Sequence, residues 1–329
     1  MITGKTKLLG IIGYPVEHSL SPVMQNAALA HMGLDYAYVP FPIKPENLSD
    51  AIKSFTAIDN LVGFNATIPH KQAIIPLLSQ VSDIAQAVGA VNTVWRNENG
   101  GWSGTNTDVE GFLAPLRNLS PLPPLLQDER GSQNLSPLPP LLKQERGSQN
   151  LSPRNWHQTI AVILGYGGAA RAVVAGCASL GCANIIVVGR NEQKLNDFLD
   201  SWRNSTAIGQ LSVYTWQKIP ELLSNADLLV NTTPVGMYPH VDESPVSGDE
   251  MDLLPEGAIA YDLIYTPNPT QFLKLAEERD AIAINGLEML VQQGAAALKI
   301  WLQQQDVPVD IMRQSLRQHL RLETSARLS

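Results

Sequence analysis

Short apolar runs closed by glycine, proline or asparagine alternate with helical stretches along the chain, which is the pattern of an α/β fold. Residues 8–13 read as a buried strand ending at the turn Gly13-Tyr14-Pro15, and Pro22 is placed to open a helix running towards Met32. Strands are expected at 36–41 and 62–66, with a helix over 45–55 between them. After a helical segment around 81–88, the stretch 90–94, the turn Asn99-Gly100-Gly101 and Trp102 read as a hairpin. In the second half, strands are expected at 160–164, 184–188, 228–231, 259–263 and 281–284. A long helix over 287–302 and an amphipathic one over 309–321 end the pattern.

The run at 160–164 meets Gly165-Tyr166-Gly167-Gly168 and then an Ala-rich segment. Strand, tight glycine turn and helix in that order make a dinucleotide-binding unit, although an ordinary strand-to-helix turn can look the same. Gly165 permits the turn, Gly167 lets the backbone approach a pyrophosphate, and Ala170 lets the helix pack closely. The next strand ends in Gly189-Arg190-Asn191. An acid there would hold the adenosine ribose hydroxyls, whereas an arginine holds a 2′-phosphate, so Arg190, with Lys194 one helical turn on, points to NADP.

Other polar residues stand where strands end. Ser19 and Ser21, just ahead of a helix, suit either a carboxylate cradle or a simple N-cap. Asn65 and Thr67 close a strand, and Lys71 falls in the first turn of the next helix, where a cation is slightly disfavoured by the helix dipole. That misplacement suggests a job for Lys71; the alternative is a solvated charge. Asn92 and Asp108 are polar residues in apolar or turn surroundings, and Asp108 also fits a capping role.

The net charge of −8 and the lack of a Lys/Arg cluster argue against a nucleic-acid partner. No uninterrupted apolar stretch reaches the roughly 20 residues of a membrane span, and the start has no signal-peptide pattern, so the chain reads as cytoplasmic and off the membrane. Cys177 and Cys182 are the only cysteines; they make no disulfide framework and no metal set. The unit NLSPLPPLLQDERGSQ begins at Asn118, recurs with small changes from Asn134 and starts again at Asn150, a period of 16 residues. Such a Pro-rich tandem duplication is expected to be an extended, mobile loop. It enters the strand at 160–164 from the end opposite the glycine turn.

Taken together, HSLSP, GFNATIPHK, GAVNTV, GTNTD, GYGGAARA, NTTPVGM and NGLEMLVQQG make the chain similar to the shikimate dehydrogenase family over nearly all its length outside the repeat. The resemblance implies an N-terminal α/β substrate domain (1–117 with 286–329) and a Rossmann-like NADP domain (156–285), with an insert at 118–155 and C-terminal helices that return to the substrate domain. It implies reversible NADPH-dependent reduction of 3-dehydroshikimate to shikimate, a step towards the aromatic amino acids. Ser19 and Ser21 would hold the substrate carboxylate with Tyr265 near it, and Asn65, Thr67, Asn92 and Gln293 would bind the ring hydroxyls and the rest of the substrate. Lys71 and Asp108 match the catalytic pair, Lys71 giving a proton to the nascent alkoxide and Asp108 orienting it.

For the cofactor the resemblance implies Gly165, Tyr166, Gly167, Gly168 and Ala169 at the turn and Arg190, Asn191 and Lys194 at the 2′-phosphate. It adds Thr232, Pro234 and Gly236 in the loop after 228–231, then Leu263, Gly286 and Met289. The partner is a small-molecule substrate; no metal is implied, and a homodimer is admitted as well as a monomer. Two departures stand out. Gly189-Arg190-Asn191 replaces the Asn-Arg-Thr of many members, and Tyr166 replaces a small residue. The competing readings are a quinate/shikimate dehydrogenase using NAD and a non-catalytic NADP-binding regulatory protein.

Overall fold

The computed structural model describes residues 2–117, 119 and 155–322. The Pro-rich insert, apart from Leu119 and Asn155, lies outside the described residues, and so does the expectation that it is a mobile loop.

Two six-stranded sheets organise the chain. In the first, β1 (Lys7–Gly13) lies between β2 (Tyr36–Pro42) and β3 (Leu61–Ala66), all parallel. Beyond β3 the order continues through β5, β6 and β4, where β4 is Gln80–Val81, β5 Thr93–Arg96 and β6 Trp102–Thr105. The β5–β6 hairpin is antiparallel, as the turn residues imply, and makes this sheet mixed.

The second sheet contains β7 (Ile160–Leu164), β8 (Asn184–Gly189), β9 (Leu211–Thr215), β10 (Leu228–Asn231), β11 (Ile259–Asp262) and β12 (Ile282–Ile284). All are parallel, in the order β12-β11-β10-β7-β8-β9. The chain therefore changes direction along the sheet between β7 and β10, which opens a crevice at the carboxyl ends of those two strands. The glycine turn leaves β7 at that crevice. Burial explains why β7 is an unbroken apolar run: Ala161 and Ile163 face one core, Val162 and Leu164 the other.

The helices are α1 (Ser21–His31), α2 (Leu48–Phe55), α3 (His70–Ala73), α4 (Asp83–Val88), α5 (Asp108–Arg117), α6 (Gly168–Leu180), α7 (Glu192–Asp200), α8 (Ile219–Leu223), α9 (Gly248–Met251), α10 (Gln271–Glu277), α11 (Leu287–Leu302) and α12 (Val309–His319). One face of the first sheet is covered by α1, α11 and α12, so the C-terminal helices do return to it, and α2 lies on the other face. The second sheet is covered by α6 and α7 on one side and α8 to α10 on the other. Between the sheets, α5 shares the core of α6: the Phe112 ring stacks on Tyr261 of β11 at 5.3 Å, and a side chain at Gly176 would collide with Phe112. Among the described residues no helix is long and apolar enough to cross a membrane.

Some boundaries differ from expectation. The stretch 45–55 opens as a 3-10 turn at Pro45–Asn47 before α2, because Pro45 has no backbone donor and starts the turn. The segment at 81–88 divides into β4 and α4, with the Ser82 hydroxyl capping the helix by accepting from Ala85 N. The edge strand β9 was not expected, and the last helix ends at His319 rather than 321.

Candidate active site

The end of β3 and the short helix α3 place Lys71 opposite the first residue of α5. Lys71 Nζ lies 2.7 Å from Asp108 Oδ2, with little of either side chain exposed. Helix α3 is fixed from two sides: His70 Nε2 bonds Ile43 O at 2.7 Å, and Lys71 O accepts from Val91 N at 2.7 Å. Asp108 is not a cap through its side chain. Its second oxygen accepts from Asn92 Nδ2 at 2.8 Å, and its own N–H donates to Asn106 Oδ1.

From this pair a buried polar chain runs towards the two serines. Asn92 Oδ1 accepts from Thr107 N (2.8 Å) and Thr93 Oγ1 (3.0 Å). Thr93 Oγ1 in turn accepts from Asn65 Nδ2 at 3.1 Å, and Asn65 Oδ1 accepts from the Tyr38 hydroxyl at 2.7 Å. Burial pushes the Tyr38 hydroxyl's pKa up, while the neighbouring Ser21 hydroxyl lowers it. Gln293 completes the floor, its Oε1 3.4 Å from Asn92 Nδ2 and its Nε2 donating to Leu290 O. Thr67 stands at the rim, its N–H donating to Ile12 O.

Ser21 opens α1 but does not cap it. Leu20 is the N-cap residue and offers no side-chain bond, while Ser21 N donates weakly to Ser19 Oγ at 3.3 Å. The Ser19 hydroxyl thus lies at the helix start, while the buried Ser21 hydroxyl bonds that of Tyr38. Tyr265 arrives from the other sheet, and its hydroxyl meets the Leu20 backbone, with burial raising its pKa.

The dinucleotide turn has the shape its glycines require. Gly165 has φ +104°, and a side chain there would stand 2.7 Å from Thr232 Oγ1, which itself donates to Leu164 O. Apart from its own chain neighbours, no described residue comes within 4 Å of where a Cβ on Gly167 would be. Gly167 also leaves α6 without a side-chain cap, so its first N–H groups are available to an anion, and these residues fit a bound pyrophosphate. A Cβ on Gly168 would sit 3.3 Å from Lys71 Cδ, which places the lysine stem directly against the turn. Ala169 follows in the first turn of α6. Arg190 and Lys194 are exposed beyond β8, and Asn191 caps α7 through Oδ1, accepting from Lys194 N at 2.9 Å.

The loops after β10 and β11 carry Thr232, Pro234, Gly236, Leu263 and Tyr265, and are held by a carboxylate that the sequence reading passed over. Asp262, fully buried, accepts from Thr270 Oγ1 (2.7 Å), Asn231 Nδ2 (3.0 Å) and Ile264 N (3.0 Å). Burial, partly offset by these bonds, pushes its carboxyl up to about 6. Gly236 needs its φ of +102°, and Gly286 admits the Leu263 carbonyl where a side chain would be. Met289 is buried in the core shared by α5 and α6. Tyr38, Thr93, Thr107 and Asp262 are the site residues the sequence reading missed; an aspartate inside the apolar run 259–263 was the available signal. Among the described residues no cluster of metal-binding side chains occurs.

Residues 11–94 match the model of the shikimate dehydrogenase substrate binding domain, and residues 286–317 that of the shikimate 5′-dehydrogenase C-terminal domain. A shikimate dehydrogenase (NADP(+)) of Trichormus variabilis is 59% identical over 322 residues, 98% of this chain and 100% of that protein. The chain belongs to the shikimate dehydrogenase family. Among solved structures, the Thermus thermophilus shikimate 5-dehydrogenase in complex with NADP(H) and shikimate superposes with a TM-score of 0.73 at 30% identity, covering 95% of this chain and 99% of that one. A 5-ketofructose reductase of Gluconobacter superposes with a TM-score of 0.74 at 29% identity, covering 96% of this chain and 100% of that one. The shikimate dehydrogenase fold thus also carries a reductase named for a different ketone, so the fold by itself does not fix the substrate.

Proposed function

We propose that this chain catalyses the reversible NADPH-dependent reduction of 3-dehydroshikimate to shikimate, with Lys71 as the group that gives and takes the proton. The observation that carries this reading is the placement of Lys71, on Asp108 at 2.7 Å and with its stem against Gly168 of the dinucleotide turn. A proton donor is thereby brought to the place where substrate and cofactor must meet. The bound dinucleotide supplies the hydride. Lys71 then neutralises the alkoxide as its charge develops, and Asp108, held by Asn92, keeps the ammonium aimed.

Ser19 and Ser21 hold the substrate carboxylate at the start of α1, with Tyr265 closing that end. Asn65, Thr67, Asn92 and Gln293 hold the ring hydroxyls. The division of labour follows the two sheets: residues 1–117 with 286–329 bind substrate, and residues 156–285 bind the dinucleotide. Trp301 Nε1 of α11, donating to Val94 O of β5 at 2.9 Å, supports grouping the C-terminal helices with the first sheet.

The test is the absorbance change at the nicotinamide band when the protein is given shikimate or quinate, each with NADP and with NAD. Rapid reduction confined to shikimate and NADP is expected. Comparable rates with NAD or quinate would move the chain to a broader quinate/shikimate activity, and no turnover in any mixture would overturn the reading.

A further inference from the structure

Gly189 closes β8 without a left-handed φ, so backbone conformation does not demand a glycine there. The space its side chain would take belongs to another residue. A Cβ on Gly189 would fall closer than 3.0 Å to Tyr166 Cδ1 and Cε1, and 3.1 Å from Leu195 Cδ2. Tyr166 itself sits inside the glycine turn, half-buried, and packs against the core under α6 and α7. The two positions are thus mutually dependent: the ring can lie there only because β8 ends bare.

This is also the place where a dinucleotide-binding unit chooses its cofactor. A carboxylate about 20 residues after the first glycine holds the ribose hydroxyls of NAD, whereas a cation nearby accommodates a 2′-phosphate. Here the strand end has no side chain, Asn191 is occupied in capping α7, and Arg190 and Lys194 stand exposed with no side-chain partner among the described residues.

We propose that Tyr166 and Gly189 are a matched pair that sets dinucleotide choice. The ring keeps the end of β8 bare, so no carboxylate can be carried there, and the ribose end is left to Arg190 and Lys194. Tyr166 is in this sense a positioning residue, acting through the strand end it covers. The inference rests on the NADP use proposed above and names what enforces it.

The experiment is a double-mutant cycle read by calorimetric titration with NADPH and NADH in the absence of substrate. Gly189→Ala in the parent displaces the ring and is expected to weaken NADPH binding about tenfold; in a Tyr166→Ala background the same change is expected to weaken it by less than about twofold. Gly189→Asp in the Tyr166→Ala background should then shift the NADPH-to-NADH affinity ratio towards NADH by about 100-fold, since the new carboxylate holds the ribose and repels the 2′-phosphate. Additive effects in the alanine cycle, or a ratio that stays at the parent value in the aspartate variant, would overturn the proposal. So would Gly189→Asp switching preference with Tyr166 still in place. Because binding is read without turnover, a parent that binds NADPH in preference to NADH yet leaves shikimate unoxidised would sink the proposed function and leave this pairing standing. A parent with equal affinity for both would overturn the pairing whatever its turnover.

Discussion

Around Lys71 and Asp108 the polar side chains already have partners, in a chain of bonds that runs through Asn92, Thr93 and Asn65 to Tyr38. Around Gly167 and Arg190 the site is made of bare backbone and of exposed cations that have no side-chain partner among the described residues. The difference matches the two tasks proposed for these regions. A proton must be delivered to one atom, so its donor has to be fixed before substrate arrives. A phosphate is large and charged, and several loosely placed donors hold it well enough.

The sharpest way to break this comparison is Lys71→Ala. Loss of general acid catalysis is expected to lower kcat by about 10²–10⁴-fold while NADPH binding, followed by calorimetry, changes little. Near-normal turnover would sink the assignment. Next in size is Arg190→Ala, which should raise KM for NADPH by about 10–100-fold with kcat nearly kept, the loss of a charge-assisted bond. An equal loss with NADH would mean that Arg190 does not read the 2′-phosphate.

A smaller effect is expected for Tyr38→Phe. It leaves the buried Asn65 Oδ1 without its donor and should destabilise the fold by about 1–3 kcal/mol in urea titrations. No change in stability would show that the polar chain is not wired as a unit. The smallest concerns Asp262, whose folded carboxyl is pushed from 3.8 up to about 6. The folded state then binds this proton more tightly than the unfolded one, so the contribution is most favourable below about pH 4 and is lost as pH rises towards 6. Asp262→Asn should remove that part of the pH slope in unfolding experiments between pH 4 and 7; an unchanged slope would assign it to other groups.

Elements defined by local pattern were legible in the sequence. β1, β3 and β7 are apolar runs closed by turn residues, and the glycine turn needs only its missing side chains to be recognised. β9 was not, because it lies at the sheet edge with only Leu211 fully buried, so its sequence LSVYT lacks a clear apolar period. Tyr38 was missed for a different reason. It pairs with Leu9 on β1, which pairs in turn with Gly63 on β3, and its hydroxyl reaches Asn65 across the strand between them. No spacing within one segment carries that register. For Ser21 the residue type allowed two jobs, and only the backbone decides: Leu20 takes the cap position, so Ser21 does not cap α1.

The return of α11 and α12 to the first sheet has a consequence for the order in which the protein is made. Leu9, Ile11 and Tyr38 are synthesised early, but their core includes Leu298, Trp301, Met312 and Leu316. On the ribosome, therefore, the second sheet has all its strands and covering helices before the first has its own lid of helices. The region that emerges first stays open longest, and it is there that a nascent chain has most need of a chaperone's cover.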